Sequence, residues 1–145
     1  MEGPETAKGV LVTGRDILEL DLTGTDLVVL SACDTARGDV HNGDGIFGLQ
    51  RAFLLAGVRT IVMSLWSIDD CSTAILLDKM YDGILAGKLI DESLQEAKRY
   101  VRESTRETFK KDGWDINKGN PNDKPYTAPY YWAGFICLGS GGVVN

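Results

Sequence analysis

Histidine is almost missing from this chain: His41 is the single one in 145 residues. Cysteine is scarce too, with Cys33, Cys71 and Cys137 widely spaced and no CxxC pair. An odd, scattered set forms no disulfide framework, and one histidine with no cysteine pair completes no zinc site. A basic surplus is also lacking. The formal net charge is -6, with 15 Lys and Arg against 21 Asp and Glu. Phosphate backbones repel such a chain, so the sequence points away from nucleic acid. A basic peptide suits the charge better than an anion does. No apolar run approaches the roughly 20 residues that span a bilayer. The opening Met1-Glu2-Gly3-Pro4-Glu5 is acidic and has no signal-peptide apolar region, so the expectation is an intracellular, cytoplasmic protein without membrane contact. No internal repeat is present, which sets aside a solenoid.

What remains is ordinary globular material, 43% hydrophobic and 25% charged, long enough for one domain. Gly9–Val12 and Asp16–Leu18 read as short strands around a Thr13-Gly14 turn. Leu27–Leu30 is continuously apolar and too short for a helix, as a strand covered on both faces should be. Ile46, Leu49, Phe53 and Ala56 recur at helical spacing, with Gly57 where a C-terminal cap belongs. Thr60–Trp66 reads as a second buried strand. Ser72 or Asp70 is expected to cap the next helix, with Leu77, Met80, Tyr81 and Ile84 as its stripe. Asp91 is expected to cap a third helix, with Leu94, Ala97 and Val101 on one face. Residues 103–111 are mostly polar and read as a fraying or projecting end. Residues 112–129 read as a loop, Tyr130–Leu138 as a last strand, and 140–145 as a flexible tail. The alternation predicts an α/β domain with a mainly parallel sheet and flanking helices. Three core strands are few for such a sheet, which suggests that it continues with strands from outside this chain.

The stretch LVVLSACDTARGD (Leu27–Asp39) carries the chemistry. Sites in open α/β sheets form at the carboxyl ends of parallel strands, and Cys33 sits at one. The 64–70 loop leaves the end of the neighbouring strand, so both loops should open on one rim. A nucleophilic cysteine needs access, a base or positive charge to form thiolate, and backbone N–H donors for the oxyanion. The competing reading of Cys33 is a small buried hydrophobe. Cys71 and Cys137 read as packing residues.

Asp34, Asp69 and Asp70 lie nearest the expected rim. One of them could hold a basic side chain of a substrate by a carboxylate pair. Equally, Asp70 could cap a helix and Asp34 be solvated. Trp66 is either a pocket wall or core packing at a strand end. Gly43–Gly48 satisfies G-x-G-x-x-G, with Asp69 and Asp70 further on. The glycines, however, follow Leu30 by about a dozen residues rather than at once, which disfavours dinucleotide binding.

The motifs LVVLSACDTARGD, GDGIFGLQRAFLLAGVRTIVMSLWSIDD and YYWAGFICLG, in that order, resemble the CHAT domain, a caspase-like group of cysteine peptidases related to separase. The resemblance covers about residues 9–139. It implies a caspase-like three-layer α/β sandwich, Cys33 as the nucleophile of a Cys–His dyad, and a substrate pocket lined by the polypeptide after Trp66. In that family the partner histidine precedes the cysteine, in a motif close to His-x-x-x-His-Gly. Residues 1–32 hold no such motif, so residues 1–145 look like the C-terminal half of the domain. His41, eight residues after Cys33 in a Gly-rich loop, is a poor substitute, because a base must be held rigidly within hydrogen-bond reach.

The function implied is peptide hydrolysis through a thioester, with a histidine supplied by an upstream segment or a partner chain. Asp69 or Asp70 would shape the first specificity pocket and Trp66 the next, with no metal and no cofactor. This chain alone is expected to be inactive. The alternatives are a scaffold domain that has lost the dyad, of the kind attached to helical repeats in this family, and a nucleotide module built on Gly43–Gly48.

Overall fold

A computed structural model describes residues 12–31, 46–116 and 118–145. Three strands form one mixed sheet in the order β1-β2-β3: β1 (Leu27–Leu30), β2 (Thr60–Ser64) and β3 (Phe135–Gly139). β1 and β2 run parallel, with Leu27 opposite Thr60 and Leu30 opposite Met63. β3 returns antiparallel, with Thr60 opposite Gly139 and Ser64 opposite Phe135. The described sheet is therefore half parallel, where the sequence suggested a mainly parallel one. A strand arriving straight from a loop, rather than through a crossover helix, is free to pair antiparallel.

The register sorts side chains onto two faces. Val62 of β2, Leu27 and Val29 of β1, and Phe135 and Cys137 of β3 join one core, together with Ile75, Leu76, Leu94 and Val101. Those last four belong to α3 (Asp70–Leu85) and α4 (Ile90–Glu103). Ile61 and Met63 of β2, Val28 and Leu30 of β1, and Ile136 and Leu138 of β3 face the other way, against Phe53. Phe53 belongs to α2 (Ile46–Leu55), whose Ala52 packs on Ile17 of α1 (Gly14–Leu18). α3 and α4 thus cover one face of the sheet, and α2, on which α1 packs, covers the other. The three-layer α/β arrangement follows from the period-2 pattern of three short strands. Among the described residues, no helix is long and apolar enough to cross a membrane.

Several local expectations are corrected. Residues 16–18 are helical, not a strand: Thr13 caps α1, its N–H and hydroxyl both binding Asp16 Oδ2 at 2.7 Å, and that reciprocal cap outweighs weak strand propensity. β2 ends at Ser64 rather than at Trp66. Asp69, rather than Ser72 or Asp70, caps α3, accepting from Ser72 N at 2.9 Å. Asp91 lies inside the first turn of α4, whose cap position is Leu89. Gly83 and Ser93 bring α3 and α4 together, a Cβ on Gly83 falling 2.6 Å from Ser93 Oγ. Residues 130–134 precede the last strand, and Pro129–Tyr131 form a 3-10 turn. The first expected strand, Gly9–Val12, falls almost wholly outside the described residues.

The segment expected to fray is instead pinned. α5 (Arg106–Lys111) carries one apolar residue, Phe109, which is fully buried between Tyr100 and Tyr126 at ring-centroid separations of 5.5 and 5.7 Å. The loop that follows folds back on it: Arg106 N donates to Asp123 O and Glu107 N to Pro121 O. The tail is held as well. Ile90 N donates to the carbonyls of Gly141 and Gly142, supplying part of the cap that α4 lacks from a side chain, and Asn145 N donates to Asp26.

Phe109→Ala is expected to cost about 3–5 kcal/mol, because it empties a fully buried aromatic site. Urea unfolding of the two proteins measures it; a loss under about 1 kcal/mol would mean that α5 is not packed. Gly139 has φ +102°, and a Cβ there would stand 2.1 Å from the Arg59 carbonyl. Gly139→Ala is therefore expected to lower stability by at least about 2 kcal/mol in the same assay, combining left-handed backbone strain with a forced strand separation.

Candidate active site at the carboxyl rim of the sheet

The parallel register of β1 and β2 brings their carboxyl ends level. β1 runs out at Leu30 into exposed Ser31, and β2 ends at buried Ser64, one position beyond the Leu30–Met63 pair. Ser31 and Ser64 border one cleft of about 160 Å³. Its apolar floor is Phe135, brought opposite Ser64 by the antiparallel return of β3, with Ile68 beside it. Asp70, Thr73 and Ala74, from the start of α3, complete its wall. A small hollow with an apolar floor, three hydroxyls and one carboxylate can take an alkyl chain ending in a polar or cationic group.

The local sequence explains how α3 reaches this rim. Ile68 is 6% exposed and anchors the loop in the core. The next residue, Asp69, starts the helix: its Oδ2 accepts from Ser72 N, while Ser72 Oγ returns a bond to Asp69 O at 3.1 Å. The Asp69 carboxylate is thus engaged in capping, and the Asp70 side chain is left on the cleft wall. Trp66 is half-buried and packs over Gly134, where a Cβ would come within 2.8 Å of its ring. Its indole Nε1 donates to Tyr130 O at 3.0 Å. This fixes the ring against the β3 approach rather than on the cleft lining.

Of the residues that the sequence put forward, Asp70 and Asp69 meet at the cleft, one on its wall and one behind it. Trp66 stands beside Ile68 over Gly134 and does not line the cleft. Cys33, Asp34, His41, Gly43 and Gly45 lie outside the described residues; Cys33 follows Ser31 by two positions in the chain. Ser31, Ser64, Thr73 and Phe135 were not singled out. Ser31 and Ser64 carried a usable signal, since each is the first polar residue after an apolar strand. Phe135 carried none, because its place depends on the direction of β3.

The other two cysteines stand in different surroundings. Cys137 is half-buried on β3, and burial, then the nearby Asp91, pushes its thiol above the ordinary cysteine range, with Lys98 opposing. Cys71 lies beside Tyr126. Burial first, then the Cys71 thiol, drives the Tyr126 hydroxyl above the usual tyrosine range, so Tyr126 stays a protonated donor.

The CHAT domain family model matches residues 1–140. Tetratricopeptide repeat protein 28 of Mus musculus is 32% identical over 131 residues, covering 90% of this chain and 4% of that protein. Tetratricopeptide repeat protein 28 of Homo sapiens is 30% identical over 131 residues, with the same coverage. The chain therefore spans 4% of the length of these curated relatives. No solved structure matches. An α/β core, a family match over nearly the whole chain and relatives at 30% identity or more agree: the chain belongs to the CHAT domain family.

Proposed function

We propose that this CHAT domain is the nucleophile-bearing part of a caspase-like cysteine endopeptidase. The observation that carries this reading is the cleft at the level ends of β1 and β2, two residues before Cys33 in the chain. In the proposed reaction a histidine, from an upstream segment or a partner chain, takes the Cys33 proton. The thiolate attacks the peptide carbonyl, and the Cys33 N–H steadies the oxyanion. The C–N bond breaks, the amine leaves with the proton, and water hydrolyses the thioester, returning the thiol. Asp70 on the cleft wall favours a Lys or Arg side chain before the scissile bond. Residues 1–145 are read as the C-terminal portion of the catalytic unit, with β1 awaiting a further strand.

The name of the relatives favours a second reading. They are tetratricopeptide repeat proteins, and a CHAT domain attached to helical repeats could serve as an interaction scaffold without turnover.

The test uses the longest chain carrying this domain, with peptides bearing Arg or Lys before the scissile bond. Cleavage is expected, with Cys33→Ala lowering kcat/KM by at least about 10³-fold. Iodoacetamide at neutral pH is expected to label Cys33 well before Cys137, whose thiol burial holds protonated. Absence of cleavage, together with Cys33 labelling no faster than Cys137, would reject the peptidase and leave the scaffold.

A further inference from the structure

α3 carries one face that no described element covers. Asp70, Ala74, Asp78, Tyr81 and Leu85 fall at i, i+4, i+8, i+11 and i+15, which sets them on a single stripe of the helix. All five are exposed, Tyr81 at 42% and Leu85 at 86%. Leu77 and Ile84 are half-buried and pack against the core. Gly83, on another side of the helix, meets Ser93 of α4. An exposed leucine or tyrosine standing alone calls for no explanation. These two, however, continue a line that begins in the cleft, because Asp70 and Ala74 also line it.

The stripe is acidic as well as apolar. Among the described residues, neither Asp70 nor Asp78 has an ion pair. Lys79, the one base of α3, is turned to α4, with its ammonium 4.7 Å from the Tyr100 ring centroid. At about 1.5 Å of rise per residue, Asp78 lies about 12 Å along the helix from Asp70, Tyr81 about 17 Å and Leu85 about 22 Å. An extended peptide advances about 3.3 Å per residue, so it would cover these spans in about four, five and seven residues.

We propose that this stripe is a docking face for the peptide substrate, beyond the residue that enters the cleft. The proposal rests on the reading in which Asp70 receives the basic side chain beside the scissile bond. The docked segment carries a second Lys or Arg about four residues from that side chain, and apolar residues about five and seven from it. The second base meets Asp78, and the apolar pair covers Tyr81 and Leu85. Charge selects this occupant: an acidic segment is repelled along the whole stripe, and an uncharged one leaves Asp78 desolvated and unpaired. Continuity with the cleft lets one polypeptide fill both. Contacts so far from the reacting carbonyl are alike in the ground and transition states, so they lower KM and leave kcat unchanged.

Fluorescence anisotropy on the longest chain carrying this domain, with Cys33→Ala to stop turnover, tests the proposal. The probes are fluorescein-labelled peptides holding Arg, then Lys and two Leu at these spacings, made in both chain directions, and controls with Ala for both Leu. One anchored peptide is expected to bind at least about tenfold tighter than its control. Leu85→Glu is expected to erase that gain. Asp78→Lys is expected to weaken the anchored peptide and to prefer a version with Glu in place of its Lys. With Cys33 intact, Leu85→Glu is expected to raise KM for the anchored peptide about tenfold, with kcat and the control peptide unchanged. Cleavage of anchored and control peptides alike would overturn the docking face and leave the peptidase standing. Binding that depends on Leu85, without cleavage, would support the face and reject the peptidase. If Leu85→Glu and Tyr81→Ala both unfold the longest chain, another part of that protein covers the stripe and the proposal falls.

Discussion

Everything in this domain depends on β2 being buried on both faces and bonded along both edges. All five of its residues are buried, with Val62 in one core and Ile61 and Met63 in the other. A slip of one residue against either neighbour would exchange the two sets and leave both cores mispacked. Two glycines protect the register. Gly57, at φ +109°, ends the turn after α2 so close to Thr23 that a Cβ would meet its nitrogen at 2.8 Å. Gly139 lets β3 lie nearer still to Arg59. With the strand fixed, Ser64 must arrive at the rim, and the chain beyond it is anchored by Trp66 and Ile68 before α3 begins.

The cleft is thus a by-product of packing. Its floor, Phe135, is a core residue of β3; its wall, Asp70, stands one place past the residue that caps α3. The nearness of Asp69 and Asp70 divides labour between two identical side chains. One satisfies an orphan helix N–H, and the other remains available to the hollow.

Elements with a strong repeating signal were legible in the sequence. β1, β2 and the three longer helices announce themselves by runs of three or four continuous apolar residues or by helical spacing, and the burial of the strands follows. Shorter pieces were not. α1 spans five residues, less than two turns, so periodicity says nothing; its signal was the Thr13–Asp16 cap. α5 offered one apolar residue, Phe109, whose burial depends on Tyr100 and Tyr126 arriving from elsewhere. The direction of β3 is a tertiary matter that no local residue encodes. At the site, the ordering of Asp69 and Asp70 was beyond a sequence reading, because whichever acid takes the cap position depends on where Ile68 enters the core. Ser31 and Ser64 were readable as the points where apolar strands stop. The grouping with Thr73 needed the helix placed first.

The last residues tie the chain down at two places. Asn145 N bonds to Asp26, just before β1, while Gly141 and Gly142 carry the first turn of α4. Tension applied at that end would load these few bonds before reaching the sheet, and would pull on a strand and a helix at once. The strap is a fuse: it would part first and spare the cores.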